Sequence, residues 1–253
     1  MTAKLELIGV KKTLGGRQVL KGVDLSVDAG KSLVVIGGSG VGKSVTLKCA
    51  LGLMIPDEGK VLVDGQDVTH LTIRERHKLA EKFGMLFQGG ALFDSLTVWE
   101  NVAFRLLYAQ KMPRRQAKER AIETMRKVRL TADFADRYPN ELSGGMQKRA
   151  SLARAIIAKP EIIFFDEPTT GLDPITADAI NDLIVEMVKE LGSAAVSITH
   201  DMASARKIAD EVAMIYEGRI IWRGPVSTLD NSGDARVDQF IHGRADGPIK
   251  AVV

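Results

Sequence analysis

The stretch Gly37-Gly38-Ser39-Gly40-Val41-Gly42-Lys43-Ser44 constrains this chain more than any other part of it. It matches the pattern G-x-x-x-x-G-K-[ST]. Before it lies Ser32–Ile36, a continuous apolar run of the kind expected for a strand buried on both faces of a parallel sheet. After it a helical stretch runs from about Gly42 to Leu53 and stops near Gly52 and Pro56. Glycines let backbone N–H groups converge on phosphate oxygens with no Cβ in the way. The helix N-terminus adds a favourable dipole and unsatisfied donors. Lys43 offers a cation to the β- and γ-phosphates, and Ser44 a hydroxyl ligand for Mg²⁺. Strand, loop and helix in this order read as a nucleotide site and commit the chain to an α/β sheet.

The rest of the sequence agrees. Leu5–Val10 and Gln18–Val27 read as strands joined by the Gly15-Gly16 turn, and Lys60–Val63 as a strand closed by Asp64-Gly65. Ile73–Lys82 reads as a short polar helix and Phe83–Phe87 as a strand. From about Thr97 to Arg137 the periodicity is helical, with Ala117, Ala121, Met125 and Val128 on one face. Ser143 caps a helix that runs to Ala158. Ile162–Phe165, Pro174–Leu191, Ala194–Ile198 and a helix after Asp201 then alternate strand and helix. Val212–Tyr216 and Arg219–Arg223 form a hairpin around Glu217-Gly218. With 253 residues, 45% hydrophobic and 26% charged, the chain has the material of one globular domain, or of one with an inserted lobe. Its apolar runs are too short to span a bilayer, and the opening MTAKLELIGVKK lacks the apolar core of a secretory signal. A lone cysteine, Cys49, makes an intramolecular disulfide impossible and a reducing compartment the expectation.

Three further stretches carry chemistry. Ile162–Phe165 ends in Asp166-Glu167. Asp166 can hold Mg²⁺ through water, and Glu167, pointing elsewhere, can polarise an attacking water as general base; taken alone, such a pair also serves as a helix cap. In Leu142-Ser143-Gly144-Gly145-Met146-Gln147 a hydroxyl and two glycine amides at a helix start make a second anion site, or a plain N-cap. The basic run Arg114, Arg115, Lys118, Arg120, Arg126, Lys127 and Arg129 is interleaved with Glu119 and Glu123, so it reads as a solvated helix face rather than a binding patch. A net charge of +3 does not demand a polyanionic partner.

In order, the phosphate loop, Gln88, LSGGMQ, the FFDE strand end, Gly171-Leu172-Asp173 and Ser197-Ile198-Thr199-His200 resemble an ABC-type ATPase from Leu5 to about Gly224. That resemblance implies a P-loop NTPase fold of the ABC-ATPase type: a RecA-like core with mixed and parallel strands, an antiparallel β part, and an inserted helical subdomain at about 97–158. Residues 1–242 would then form the ATPase domain and 243–253 a tail. It implies ATP and Mg²⁺ as cofactors. The nucleotide would contact Gly37, Gly38, Ser39, Gly40, Val41, Gly42, Lys43, Ser44 and Val45, with Mg²⁺ held by Ser44, Gln88 and Asp166. Glu167, His200 and Gln88 would be catalytic. Two copies would pair head to tail, so that Ser143, Gly144, Gly145, Gln147 and Asp173 reach the nucleotide of the other copy. The sequence departs from the family pattern at three places. Leu14 stands where an aromatic usually stacks on adenine, leaving Leu14 or Val19 as an aliphatic contact. Val45 replaces a common Thr, and Met146 a common Gln.

The segment Gly84–Val102, of the form FQ-G-GALFDSLTV-ENV, resembles the ATPase of Mla-type phospholipid transporters, which work with a permease and an MCE-domain lipid carrier. The tail Gln239–Ile249 adds to that likeness. It implies a homodimer on the cytoplasmic face of the inner membrane, a permease contact near Gln88–Asn101, and further partners in the lipid carrier and a small regulatory subunit. Ala91–Trp99 then reads as an apolar groove for a permease coupling helix, against a plain surface loop. The tail reads as a segment packing on a neighbouring subunit through Phe240, against a disordered terminus. A polar-solute importer ATPase is the alternative within the same class. A nucleic-acid ABC ATPase would need a long coiled coil between Lys43 and Leu142, where there are neither heptads nor room. A translation factor of this type would need two cassettes, and one is present.

Overall fold

A computed structural model describes residues 3–250. In chain order the elements are β1 (Leu5–Leu14), β2 (Arg17–Val27), β3 (Ser32–Ile36), α1 (Lys43–Ala50), β4 (Glu58–Val63), β5 (Gln66–Asp67), α2 (Ile73–Ala80) and β6 (Phe83–Leu86). There follow α3 (Val98–Val102), α4 (Phe104–Tyr108), α5 (Arg114–Lys127), α6 (Gly144–Ile156), β7 (Ile162–Asp166), α7 (Pro174–Leu191) and β8 (Ala194–Thr199). The chain closes with α8 (Met202–Ile208), β9 (Glu211–Tyr216), β10 (Arg219–Pro225) and α9 (Ala235–Ile241). The described residues divide into two compact units. One takes in the chain up to Ile73 and again from Val196, the other spans Arg74–Ala195, and the second boundary falls inside β8.

In the first unit an antiparallel sheet runs β2-β1-β4-β5. Its register pairs Leu5 with Val27, Leu7 with Leu25 and Val10 with Val23, which puts one face of alternate apolar residues inside. A second sheet runs β10-β9-β3-β8. There β3 and β9 are parallel, from Leu33 beside Glu211 to Ile36 beside Met214. Leu33, Val34, Val35 and Ile36 are all buried, as a strand covered on both faces requires. The β9–β10 hairpin turns at Glu217-Gly218, both with positive φ, as a tight hairpin turn demands.

In the second unit β6 and β7 pair in parallel, Phe83 beside Ile162 through Leu86 beside Phe165. Ile162, Ile163, Phe164 and Phe165 are fully buried; at about 1.5–3 kcal/mol per side chain, this strand anchors the unit. Phe83 meets Phe164 edge-on at 5.4 Å. The predicted stripe of α5, Ala117, Ala121, Met125 and Val128, is wholly buried. The helical stretch read from Thr97 to Arg137 is in fact three helices and a 3₁₀ turn (Ala132–Phe134). Pro113 N-caps α5 and cannot continue α4, and Lys111 adopts a φ of 54° just before it. Of the cations in the predicted basic run, Arg114 pairs with Glu100, Arg115 with Glu119, Lys118 with Asp136, Lys127 with Glu190 and, just past α5, Arg129 with Glu186, while Arg120 donates to the Ile157 carbonyl. Among the described residues no helix is long and apolar enough to cross a membrane.

Candidate functional site

The predicted site residues divide between the two units. The first unit holds the phosphate loop and His200. The loop leaves β3 at Gly37, whose φ is 152°, and a Cβ there would lie 2.4 Å from the Ile215 carbonyl oxygen of β9. Only glycine lets the chain turn this close to the neighbouring strand. Lys43, 9% exposed, opens α1 and folds its side chain across the loop, Nζ donating to the carbonyls of Gly37 at 2.7 Å and Gly38 at 2.8 Å. Ser44 is exposed at the start of the same helix, Val45 is half-buried beside it, and Thr46 Oγ1 donates to the Gly42 carbonyl at 3.0 Å. Gly38, Ser39, Gly40 and Val41 form one wall of a cavity of about 890 Å³, inside the ~300–1,000 Å³ range of small-molecule sites. Val19 also lines this cavity, whereas Leu14, at the tip of the β1–β2 hairpin, does not. His200 stands exposed just past β8, ahead of Asp201, whose carboxylate caps α8.

The second unit holds Gln88, Asp166, Glu167, the Ser-Gly-Gly turn and Asp173. Asp166 is the last residue of β7. Glu167 follows it, nearly buried at 8% exposure and with a φ of 48°. That left-handed backbone is uncommon for a non-glycine residue and concentrates at functional sites. Thr170 Oγ1 donates to the Glu167 carboxylate at 3.2 Å. Ser143 is the N-cap of α6, its Oγ accepting from Met146 N at 3.4 Å. Gln147 Nε2 donates to the carbonyls of Pro139 and Leu142, fixing the loop that leads into the Ser-Gly-Gly turn. Asp173 caps α7 by accepting from the backbone N–H groups of Ile175 and Thr176 at 3.0 Å each. The Thr176 hydroxyl, and after it these backbone N–H groups, hold its carboxyl below the ordinary range.

Sequence reading missed the residues that tie these pieces together. Lys148 of α6 is 5% exposed, and its Nζ donates to the backbone carbonyls of both Gln88 and Glu167. Burial lowers its pKa, while the nearby Asp166 and Glu167 charges oppose that shift. One and two turns further on, Ser151 Oγ donates to the Gly90 carbonyl, and Arg154 donates to those of Gly90 and Ala91 at 2.7 Å each. A single face of α6 thus grips the loop that follows β6. The visible signal is the i, i+3, i+6 spacing of Lys148, Ser151 and Arg154 in a helix otherwise rich in small apolar residues.

Beyond that loop, buried Asn101 organises 93–97. Its Oδ1 accepts from Phe93 N, and its Nδ2 donates to the carbonyls of Phe93, Leu96 and Thr97. This leaves Phe93, 44% exposed, stacked on Phe104 at 4.6 Å, which in turn meets the exposed Tyr108 at 4.7 Å. Ala91–Trp99 thus contributes Phe93 to an aromatic row that α4 continues with Phe104 and Tyr108.

A glycine-rich phosphate loop between a buried strand and a helix, joined in one chain to a strand ending Asp-Glu and to a helix capped by Ser-Gly-Gly, defines an ATP-binding cassette. The family model for ABC transporters matches residues 20–170, and the chain belongs to that family. It is an ATP-hydrolysing subunit of the ABC type. It is similar to the "Intermembrane phospholipid transport system ATP-binding protein MlaF" of Haemophilus influenzae, at 38% identity over 93% of this chain and 89% of that protein. It is also similar to a "Probable ribonucleotide transport ATP-binding protein mkl" of Mycobacterium leprae, at 36% identity over 98% of this chain and 72% of that one. Among solved structures, the ATP-binding cassette MJ0796, in a dimeric post-hydrolysis state bound to ADP and Pi, matches with a TM-score of 0.81 and 32% identity, over 88% of this chain and 98% of that one.

Proposed function

We propose that this chain is the ATP-driven motor of a transporter that moves phospholipid between membranes, acting as a homodimer bound to an integral membrane permease. The observation that carries this reading is Lys148, whose ammonium joins the backbone of Gln88, at the head of the segment bearing the aromatic row, to the backbone of Glu167. A push on the exposed Phe93–Tyr108 row is thereby transmitted to the hydrolytic carboxylate. The name of the phospholipid-transport relative supports the cargo, and the dimeric ADP- and Pi-bound cassette supports pairing of two copies.

In this reading residues 1–242 act as one ATPase domain, the helical part at about 97–158 faces the permease, and 243–253 form a tail. Gly37–Val45 cradle the triphosphate through backbone N–H groups, and Lys43 turns its ammonium to the β- and γ-phosphates. Ser44, Gln88 and Asp166 offer a hydroxyl, an amide oxygen and a carboxylate. This all-oxygen set fits Mg²⁺, which favours one or two carboxylates with phosphate and water. When bound, Mg²⁺ neutralises charge developing on the phosphates. Glu167 takes a proton from the attacking water, Gln88 orients that water, and His200 contacts the γ-phosphate. From the partner copy, Ser143, Gly144 and Gly145 close over the γ-phosphate, with Gln147 holding their loop and Asp173 at the boundary. Closure around ATP and reopening after hydrolysis is the stroke, a population shift set by γ-phosphate contacts. The motor sits peripherally on the cytoplasmic face of the inner membrane, with an MCE-domain carrier and a small regulatory subunit as further partners.

The ribonucleotide-transport name borne by a relative of similar identity supports a second cargo, a polar solute. ATPase activity of the chain co-reconstituted with its co-purified permease separates the two. Stimulation by phospholipid supports the first reading, and stimulation by ribonucleotides with none by phospholipid overturns it.

A further inference from the structure

The C-terminal segment is tied to α9 by one buried side chain and by an exposed ion pair of Arg244 with Asp238 at 2.6 Å. Between His242 and Lys250 every residue is exposed except Ile249. Gln239 of α9, 6% exposed, uses both ends of its amide on this stretch. Its Oε1 accepts from Ile249 N at 2.7 Å, and its Nε2 donates to the Ile249 carbonyl at 2.9 Å, and to those of Arg244 at 3.2 Å and Ala245 at 3.4 Å. A buried amide so satisfied fixes its partners, since leaving it unpaired is costly. Gly247, at φ 155°, passes so close that a Cβ would lie 2.4 Å from Gln239 Cδ. At the base of α9, Asp234 caps the helix and pairs with Arg236, whose guanidinium lies 5.9 Å from the centre of the Tyr216 ring.

The consequence is geometric. Phe240, Pro248 and Ile249 line the same cavity as Gly38–Val41 and Val19, all within one unit of one chain. The glycine-rich wall presents backbone N–H groups, the chemistry of a phosphate site. Val19, Pro248 and Ile249 add an apolar surface suited to the face of a heterocyclic base, while Arg17, Lys21 and Lys250 line the same cavity with cations. Leu14 lies off the cavity and supplies no such surface.

We propose that the segment Phe240–Lys250 is the base-binding wall of this chain's own nucleotide cavity, holding the purine of ATP against Val19 through Pro248 and Ile249. The inference rests on the reading of Gly37–Ser44 as the triphosphate site, and the two can fail separately.

The test uses the full chain, diluted until light scattering reports a monomer, and follows calorimetric binding of ATP and of inorganic tripolyphosphate in parallel. Ile249→Ser removes the apolar contact at the surface, and Gln239→Ala releases the segment by a second route. Each variant is expected to weaken ATP about tenfold, a change of about 1.4 kcal/mol, and to leave tripolyphosphate within twofold of the parent chain. Unchanged ATP affinity in both variants overturns the proposal. So does a gain for both ligands, which would make the segment a plug, or an equal loss for both, which would make it a mere structural support. If the parent chain binds no tripolyphosphate and Lys43→Ala changes nothing, the underlying nucleotide reading has failed and the proposal with it.

Discussion

Replacing Lys148 by Met keeps the length and apolar stem of the side chain and deletes its donors. In the parent chain those donors serve the carbonyls of Gln88 and Glu167 from an almost fully buried position. A hydrogen bond to a charged group contributes about 1.5–3 kcal/mol. Burying an ammonium costs several kcal/mol, so its removal offsets much of that loss in overall stability. Position is not offset. Glu167 holds a left-handed φ of 48°, a conformation that costs ~1–3 kcal/mol and persists only while its surroundings impose it. Without Lys148 the backbone relaxes and the carboxylate leaves its place. If 1.5–3 kcal/mol of that positioning is realised only in the transition state, kcat falls about ten- to hundredfold. Lys148 does not line the cavity of the phosphate loop, so KM for ATP stays within about twofold. Lys148→Gln restores two N–H donors without the charge and is expected to recover most of the loss. The assay is steady-state ATPase activity of the three proteins across a range of ATP concentrations. A Met variant with kcat within twofold of the parent refutes the reasoning, and so does a Gln variant as impaired as the Met one.

Two further outcomes are expected. Gly37→Ala places a methyl 2.4 Å from the Ile215 carbonyl oxygen; the strained turn should cost ~1–3 kcal/mol, read as a Tm lower by several degrees together with lost ATP binding, and an unchanged Tm counts against it. The Arg236 guanidinium beside Asp234 pulls its carboxyl down to about 2. Because the folded value lies below the unfolded one, the stabilisation from this cap is fully present above pH ~4 and disappears as pH falls through about 2. Carboxyl NMR titration of the parent chain should therefore show Asp234 still ionised at pH 3; a midpoint near 4 would contradict the pairing.

The sequence displays what depends on local pattern. Ser32–Ile36 and Ile162–Phe165 announce buried parallel strands because a strand covered on both faces needs unbroken apolar residues. The phosphate loop announces itself because only glycine tolerates the approach of β9 at Gly37. What stays hidden depends on distant parts of the chain meeting. Lys148 reads as one more solvated lysine until the loop after β6 and the turn after β7 close around it. Leu14 and Val19 are equivalent in pattern, and only the placement of the hairpin tip puts Val19 on the cavity and Leu14 off it. Gln239 lies ten residues from Ile249, too far for a periodic signal, so the glycine- and proline-containing tail reads as loose although one amide clasps it. The breaks among α3, α4 and α5 are legible at Pro113 but not at Ala103, where no residue type marks the boundary.

The central claim is that ATP joins two copies of this chain, each completing the other's site with its Ser-Gly-Gly turn. It is tested most directly by light scattering of the Glu167→Gln variant, which retains the phosphate loop and lacks the carboxylate proposed as the base. With ATP and Mg²⁺ this variant is expected to form a stable dimer that returns to monomer when Lys43→Ala is added. A variant that remains monomeric at saturating ATP, alone and with its permease, contradicts it.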